Sequence, residues 1–234
     1  MLVLGFDTAT PAVSVAVHDG ARVVGESFAV DARRHGELLA PMIAKVMADA
    51  GAARTELTGV AVGVGPGPYT GLRVGVVTAR VLGSVLGIPV YGVCTLDVIA
   101  AAVPATAGRE FLVATDARRK EVYWARYDDH GQRLEGPSVG PASLIPRAPE
   151  LTVAGTGGRL YPEAFGEMTE PAYPQARTLC EIVAAQLDDR NRVRAAEGVL
   201  PGARDRTPLL APVPLYLRRP DAREPGPPKR VTPS

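Results

Sequence analysis

The sequence predicts an α/β protein in which helices pack on a mixed β-sheet. Three short apolar runs joined by tight turns occupy the first 30 residues, which indicates antiparallel strands. Helical stretches then alternate with single strands up to residue 102, which gives the order βββαβαβα. The 234-residue chain is 46% hydrophobic and 22% charged, a balance typical of a globular protein that buries a core.

The first half of the sequence gives the strongest signals for strands and helices, because turn and cap residues mark where these elements begin and end. Asp19-Gly20 predicts a hairpin turn, Thr70 and Thr95 are expected to cap helices, and Gly87 is expected to end one. The predicted elements are strands 2–8, 13–18 and 22–30, helix 34–50, strand 59–64, helix 70–86, strand 89–93 and helix 95–102.

The second half gives weaker signals, and the composition changes again near its end. Eight of the 22 prolines lie in residues 204–234, which predicts a linker-like segment except for the apolar stretch 214–218. The predicted elements of this half are strands 111–115, 122–127 and 152–154 and a helix over 178–187.

Composition excludes several classes of protein. With 26 basic and 25 acidic residues the net charge is +1, which argues against a protein that holds nucleic acid by bulk charge. Cys94 and Cys180 are expected to be reduced thiols, and no run is long enough for a signal peptide or membrane span, so a cytoplasmic protein is expected. His18, His35 and His130 lack i,i+4 spacing, so no paired-histidine metal site is expected.

Several loops are candidates for phosphate binding. Asp7 and Thr8 follow the first strand, where nucleotide-binding sheets place such a loop, but no glycine follows before His18, and a structural turn is the alternative. The 65–71 segment is rich in glycine but lacks the Gly-Lys-Ser/Thr end of a P-loop.

Two further loops are candidates in the second half. The 116–120 turn carries three cations that can hold an anion, with a solvated charged turn as the alternative. Gly155, Gly157 and Gly158 form either an anion-binding nest or a plain tight turn. No constellation for nucleophilic catalysis is recognisable.

The two central helices predict a protein–protein face. The first carries apolar side chains over about half its circumference, whereas packing on one sheet needs an apolar stripe of about 100°. The second repeats small residues every four positions, and each interior glycine costs about 0.5–1 kcal/mol, which predicts close backbone contact. That row is Gly71, Gly75, Ala79 and Gly83. The alternative is that the helices pack only on each other within one domain.

A series of motifs resembles the bacterial TsaB (YeaZ) family. They run in order through residues 1–218: Leu4-Gly5-Phe6-Asp7-Thr8-Ala9-Thr10, Ser14-Val15-Ala16-Val17, His35, Leu38-Leu39-Ala40-Pro41-Met42-Ile43, Gly65-Pro66-Gly67-Pro68-Tyr69-Thr70-Gly71-Leu72-Arg73-Val74-Gly75, Gly92-Val93-Cys94-Thr95-Leu96, Asp116-Ala117-Arg118-Arg119, Glu121-Val122-Tyr123-Trp124-Ala125 and Pro214-Leu215-Tyr216-Leu217-Arg218. Lys120 departs from the pattern, since the family often has glycine there.

The resemblance implies an actin-like, sugar-kinase-like ATPase (ASKHA) fold of two related subdomains, the second reduced. The expected organisation is an N-terminal subdomain over 1–103, a C-terminal subdomain over 104–218 and a proline-rich basic tail over 219–234. It implies an accessory, non-catalytic subunit without cofactor or metal. Its implied partners are TsaD, which transfers threonylcarbamoyl to the anticodon-adjacent adenosine of tRNA, and the ATPase TsaE. Alone, the chain is expected to form a homodimer. It is expected to meet tRNA only through the complex.

The resemblance also implies which residues meet the partner. They lie on the two central helices: Leu38, Leu39, Met42, Ile43, Gly71, Arg73, Val74, Gly75, Val77, Arg80 and Val81. Asp7, Thr8 and the Gly155–Gly158 turn would then be a vestigial nucleotide site. The alternatives are an active ATPase or small-molecule kinase using the same loops and, from the old glycoprotease label of the superfamily, a peptidase.

Overall fold

Two β-sheets with matching strand orders form the framework of the protein. The structure is a computed structural model that describes residues 1–104, 109–196 and 208–218. The first sheet has the order β3-β2-β1-β4-β5. Its strands are β1 (Val3–Asp7), β2 (Ala12–His18), β3 (Val23–Val30), β4 (Gly59–Gly63) and β5 (Val90–Val93). The first three pair antiparallel, whereas β4 and β5 run parallel to β1.

Helices cover both faces of this sheet because side chains alternate between faces along each strand. On one face, Leu4 and Phe6 of β1 pack in a core with helices α1 (His35–Asp49) and α2 (Tyr69–Leu86). On the other face, Val3 packs in a core with α3 and α5. Helix α3 spans Thr95–Ala101 and α5 spans Ala176–Ala196, with the short α4 (Gly157–Leu160) before α5.

The second sheet repeats the plan of the first in reduced form. It has the order β8-β7-β6-β9, with β6, β7 and β8 antiparallel and β9 parallel to β6. These strands are β6 (Phe111–Asp116), β7 (Glu121–Tyr127), β8 (Arg133–Pro141) and β9 (Thr152–Ala154). Two single 3-10 turns connect β8 to β9, where the first sheet uses α1. The predicted mixed α/β fold, with two related halves of which the second is reduced, is confirmed.

Segments late in the chain pack on the first sheet. Helix α5 contacts β1, β2 and β4, and Leu210 exchanges backbone hydrogen bonds of 2.7 and 2.8 Å with Gly92 of β5. The boundaries 1–103 and 104–218 stay a prediction, and the predicted tail 219–234 lies outside the described residues. Among the described residues, no helix combines the length and hydropathy needed to cross a membrane.

Several local predictions are corrected. Helix α2 begins at Tyr69 after Pro68 and has no side-chain cap, so Thr70 does not cap it. Thr95 opens α3, but its hydroxyl is used elsewhere, as described below. Strand β8 was not predicted because it is a half-buried edge strand interrupted by Gly136-Pro137, so it lacks an apolar alternation.

A buried polar cluster joins α3 to the second sheet. The hydroxyl of Tyr127 on β7 donates to Oδ1 of Asp97 at 2.8 Å, and Arg133 on β8 donates to the same carboxylate at 3.1 Å. Asp97 is 3% exposed, and its burial raises its pKa. The cluster therefore depends on both partners to satisfy a carboxylate that has little access to water.

The variant Tyr127→Phe tests this cluster. Removing a hydrogen bond to a charged, buried acceptor is expected to lower the free energy of unfolding by about 1.5–3 kcal/mol. Arg133→Met is expected to cost more, because it takes the positive charge away from the buried carboxylate. Urea denaturation at neutral pH measures both; wild-type stability in Tyr127→Phe would contradict the expected dependence.

Candidate functional site

The turn after β1 is closed around the carboxylate of Asp7. Asp7 has no exposed surface. Its Oδ1 accepts the amide of Ala9 at 2.7 Å, and its Oδ2 accepts the hydroxyl of Thr95 at 2.8 Å. The Thr95 oxygen also accepts the amide of Gly65 at 3.1 Å. Both carboxylate oxygens are therefore engaged by the protein itself.

Burial sets the protonation of this carboxyl. It raises the pKa of Asp7 to about 6, against the opposing effects of the hydrogen bonds from Ala9 and Thr95 and the charge of His35. At neutral pH the group carries a charge inside the protein, which disfavours the folded state relative to a neutral side chain.

The loop after β4 fills the space beside this turn. A Cβ atom on Gly63 would lie 1.8 Å from Oδ2 of Asp7, and one on Gly67 would lie 2.0 Å from the carbonyl oxygen of Ala9. Glycine is thus required for the two backbone segments to approach. The chain's own backbone therefore occupies the space beside Asp7 and Thr8, the candidate phosphate loop of the sequence.

Thr8, in the same turn, is hydrogen-bonded to the first turns of α2. Its hydroxyl donates to the carbonyl of Gly71 at 2.8 Å and accepts the amide of Gly75 at 3.0 Å, two groups that an α-helix pairs with each other. A Cβ on Gly71 would lie 2.6 Å from the Thr8 carbonyl oxygen, and one on Gly75 would lie 2.5 Å from the Thr8 hydroxyl. The glycine row therefore faces inward. Its predicted contact with another protein through Gly71 and Gly75 is wrong.

The glycine turn of the second half is closed in the same way. Gly155 has a φ of +88°, and a Cβ there would lie 2.2 Å from the carbonyl oxygen of Ala114 on β6. A Cβ on Gly157 would lie 2.6 Å from the Ala114 side chain, and one on Gly158 would lie 2.7 Å from Val153. The tight-turn alternative accounts for these glycines, and each predicted nucleotide loop packs on its own half of the protein.

A larger cavity lies away from these loops. It has a volume of about 470 Å³ and lies between β2, β3 and residues 159–177. Its charged side chains pair with one another, Arg177 with Glu26 at 3.6 Å and Arg159 with Glu170 at 2.5 Å. This lining offers balanced charge and does not favour an anionic ligand.

The outer face of α2 carries an exposed ridge. Tyr69, Arg73, Val77, Val81 and Val85 recur every four residues, and the three valines are 49%, 54% and 76% exposed. A ridge of this spacing packs into the groove of a facing helix. Helix α1, which contacts α2, also exposes a row of small residues, which are Ala40, Ala44 and Ala48.

The structure divides the predicted partner residues by exposure into three groups. Arg73, Val77, Arg80 and Val81 are exposed, and Leu38, Ile43 and Val74 are half-buried and pack against the core. Leu39 and Met42 are only 2% and 8% exposed because they pack between α1 and the sheet, so their assignment to the surface is corrected. Val85 was missed, although its four-residue spacing from Val81 was a usable signal. Among the described residues, no cluster of three potential metal ligands occurs.

Comparison with known proteins adds three findings. Residues 24–145 match the family model described as TsaD, tRNA N6-adenosine threonylcarbamoyltransferase. An uncharacterized protein of Mycobacterium tuberculosis is 44% identical over 224 residues, covering 94% of this chain and 93% of that protein. The tRNA threonylcarbamoyladenosine biosynthesis protein TsaB of Escherichia coli is 33% identical over 174 residues, covering 70% and 74%.

A solved structure extends the similarity to nearly the whole chain. YeaZ from Pseudomonas aeruginosa superposes with a TM-score of 0.71 at 28% identity, covering 92% of this chain and 99% of that one. The TsaD-family match includes both α1 and α2. Helix α2, which carries the exposed ridge, and helix α1 therefore belong to the part of the chain that these proteins share.

The variant Asp7→Asn tests the electrostatics of the closed turn. The folded pKa of about 6 lies above the ordinary value of 3.8, so Asp7 favours folding at low pH and loses that contribution as the pH rises through 6. Asn carries no charge, so its stability relative to wild type should improve by about 3 kcal/mol between about pH 4 and pH 7. Denaturant unfolding across this range measures the difference.

Asp19→Asn is the matched control. Hydrogen bonds from the amides of Arg22 and Ala21 lower the pKa of Asp19, which is exposed. Its stability relative to wild type should change with pH in the opposite direction. Parallel pH curves for Asp7→Asn and wild type would contradict a buried charge at position 7.

Proposed function

The chain belongs to the TsaB (YeaZ) family, and on that premise we propose that it is a non-catalytic subunit of the complex that forms threonylcarbamoyladenosine in tRNA. Relatives in Escherichia coli and Bacillus subtilis are named for biosynthesis of this modified nucleoside, which supports a role in tRNA modification. The observation that carries the proposal is the exposed ridge of α2, an apolar helix face on a family member whose predicted nucleotide loops are closed.

The proposed partner is the catalytic subunit TsaD. Residues 24–145 match the TsaD family, so a TsaD chain has counterparts of α1 and α2. Two related chains can then pair through equivalent helices, as the halves of a symmetric dimer do. The same geometry accounts for a homodimer when the chain is alone, because each copy offers the other the same ridge.

The composition of this face favours helix–helix packing. Val77, Val81 and Val85 are exposed on α2, and the exposed residues of α1 include the small side chains of Ala40 and Ala44. Small exposed side chains on one helix and apolar ones on the other allow a second helix pair to approach closely. Burying one valine contributes about 1.5–3 kcal/mol, so the ridge is the part of this surface with most to gain from being covered.

The closed turn supports an accessory role. Asp7 is fully buried with both oxygens hydrogen-bonded, and Gly67 brings backbone against Ala9. Substrate would have to displace these contacts to reach the carboxylate. We assign the chemistry to TsaD, and we propose that the ATPase TsaE joins the same assembly.

The variant Val81→Asp tests the partner surface. Val81 is 54% exposed, so the substitution should leave the fold intact, whereas at a packed interface it buries an unpaired carboxylate. Binding to TsaD from the same organism should weaken by at least about 100-fold, which corresponds to about 2.7 kcal/mol. Titration calorimetry measures the affinity, and light scattering follows the homodimer.

Val213→Asp is the matched control, since Val213 is 59% exposed and lies outside α1 and α2. It should bind TsaD like wild type, and both variants should keep the wild-type melting temperature within a few degrees. Wild-type affinity in Val81→Asp would refute this interface.

A further inference from the structure

A small cavity lies where the two halves of the protein meet beside the start of α2. It has a volume of about 210 Å³ and is lined by residues 67–69, 117–119, 123 and 216–218. We call this lining, with Arg73 and Lys120 beside it, the basic–aromatic patch. The patch shares Tyr69 and Arg73 with the exposed ridge, but the valines of the ridge do not account for the cations on the other side of the cavity.

The turn between β6 and β7 presents three consecutive cations in an unusual backbone conformation. Arg118, Arg119 and Lys120 have φ values of 62°, 56° and 62°. Side chains with a Cβ rarely adopt this region, and glycine occupies it without strain. The chain nevertheless carries a cation at each of these positions, which indicates that the side chains have a use.

Charge around the cavity is predominantly positive. Arg118 pairs with Asp116 at 3.2 Å, and Arg218 pairs with Glu121 and donates to the carbonyl of Ala117 at 3.3 Å. Among the described residues of the patch the cations are Arg73, Arg118, Arg119, Lys120 and Arg218, and the carboxylates Asp116 and Glu121 pair with two of them. A polyanion is the ligand class that this balance favours.

Aromatic rings form the other wall of the patch. Tyr69 and Tyr216 stack with centroids 5.3 Å apart at an interplanar angle of 25°, and they are 44% and 41% exposed. The Arg73 guanidinium lies 5.0 Å from the Tyr69 ring centroid. Cations beside exposed aromatic rings are the combination that binds unpaired nucleotides, through phosphate contacts and base stacking.

The volume of the cavity favours one nucleotide of an RNA chain over a free nucleotide as the ligand. Pockets that enclose a whole small molecule usually measure about 300–1,000 Å³, and this cavity is smaller. It suits one unit of a chain that continues over the surface on either side. Arg73 also lies one helical turn from Val77, so the patch borders the proposed partner surface.

We propose that the basic–aromatic patch binds an unpaired nucleotide of tRNA, with its flanking phosphates on the cations of the β6–β7 turn and its base on the exposed tyrosines. This rests on the proposed function and extends it, since it gives the accessory chain a direct contact with the RNA. The chain then holds the substrate next to the catalytic partner.

The double variant Arg118→Gly/Lys120→Gly tests the cations, because glycine relieves the positive-φ backbone while removing both charges. Binding of the full chain to a fluorescent tRNA transcript is measured by anisotropy at several salt concentrations. The affinity for tRNA should fall by at least about tenfold. The slope of log Kd against log salt concentration should fall by about two, because each lost phosphate contact lowers this slope by about one. Tyr216→Ala should weaken binding about tenfold with an unchanged slope, and Tyr216→Phe should bind like wild type.

Arg54→Gln is the control, since Arg54 precedes β4 whereas residues 67–69 follow it, so the two lie beyond opposite ends of this strand. Undetectable tRNA binding by the wild-type chain, wild-type binding by the glycine variant, or displacement of tRNA by ADP would each overturn the inference. TsaD binding is measured in parallel. Loss of TsaD binding in Val81→Asp, but not in the patch variants, would support the proposed function. Loss of tRNA binding in the patch variants, with TsaD binding intact, would support the patch as a separate RNA site.

Discussion

The approach of the backbone after β4 to the turn after β1 is the contact on which the rest of the structure depends. It exists because Gly63, Gly67, Gly71 and Gly75 lack side chains where a Cβ would meet Asp7, Ala9 or Thr8. The approach closes the turn that nucleotide-binding sheets use for phosphate, and it seats α2 so that its glycines face inward and its valines face outward. One set of glycines thus governs both the closed cleft and the exposed ridge.

The second half of the chain uses the same plan for a different purpose. Its turn after β6 exposes three cations, whereas the equivalent turn after β1 is closed by the backbone of the loop after β4. Gly155 and Gly157 press their own turn onto Ala114, so the glycine-rich loop of this half also serves packing. The two halves share a topology, but the first presents an apolar helix face and the second presents charge.

The sequence predicted most strands and the two central helices because their periodic apolar residues and bounding turns are local signals. It also identified the helix that carries the exposed ridge. The sequence could not show which residue packs against a small side chain. The spacing of Gly71 and Gly75 therefore predicted contact with another protein, whereas Thr8 of the same chain packs against both glycines. Likewise, a wide apolar stripe on α1 does not say how much of it the sheet covers, and Leu39 and Met42 proved to be core. Thr95 resembled a helix cap, but its hydroxyl binds Asp7, 88 positions away.

The return of late segments to the first sheet has a consequence for how the protein is made. Ser14 accepts the amide of Ala176 at 2.7 Å, and Leu210 pairs with Gly92 along the outer edge of β5. A nascent chain that has left the ribosome only as far as β9 therefore has an uncovered apolar face and an unpaired strand edge, both of which invite association with other chains. The N-terminal sheet can be completed only after residue 210 has been synthesised.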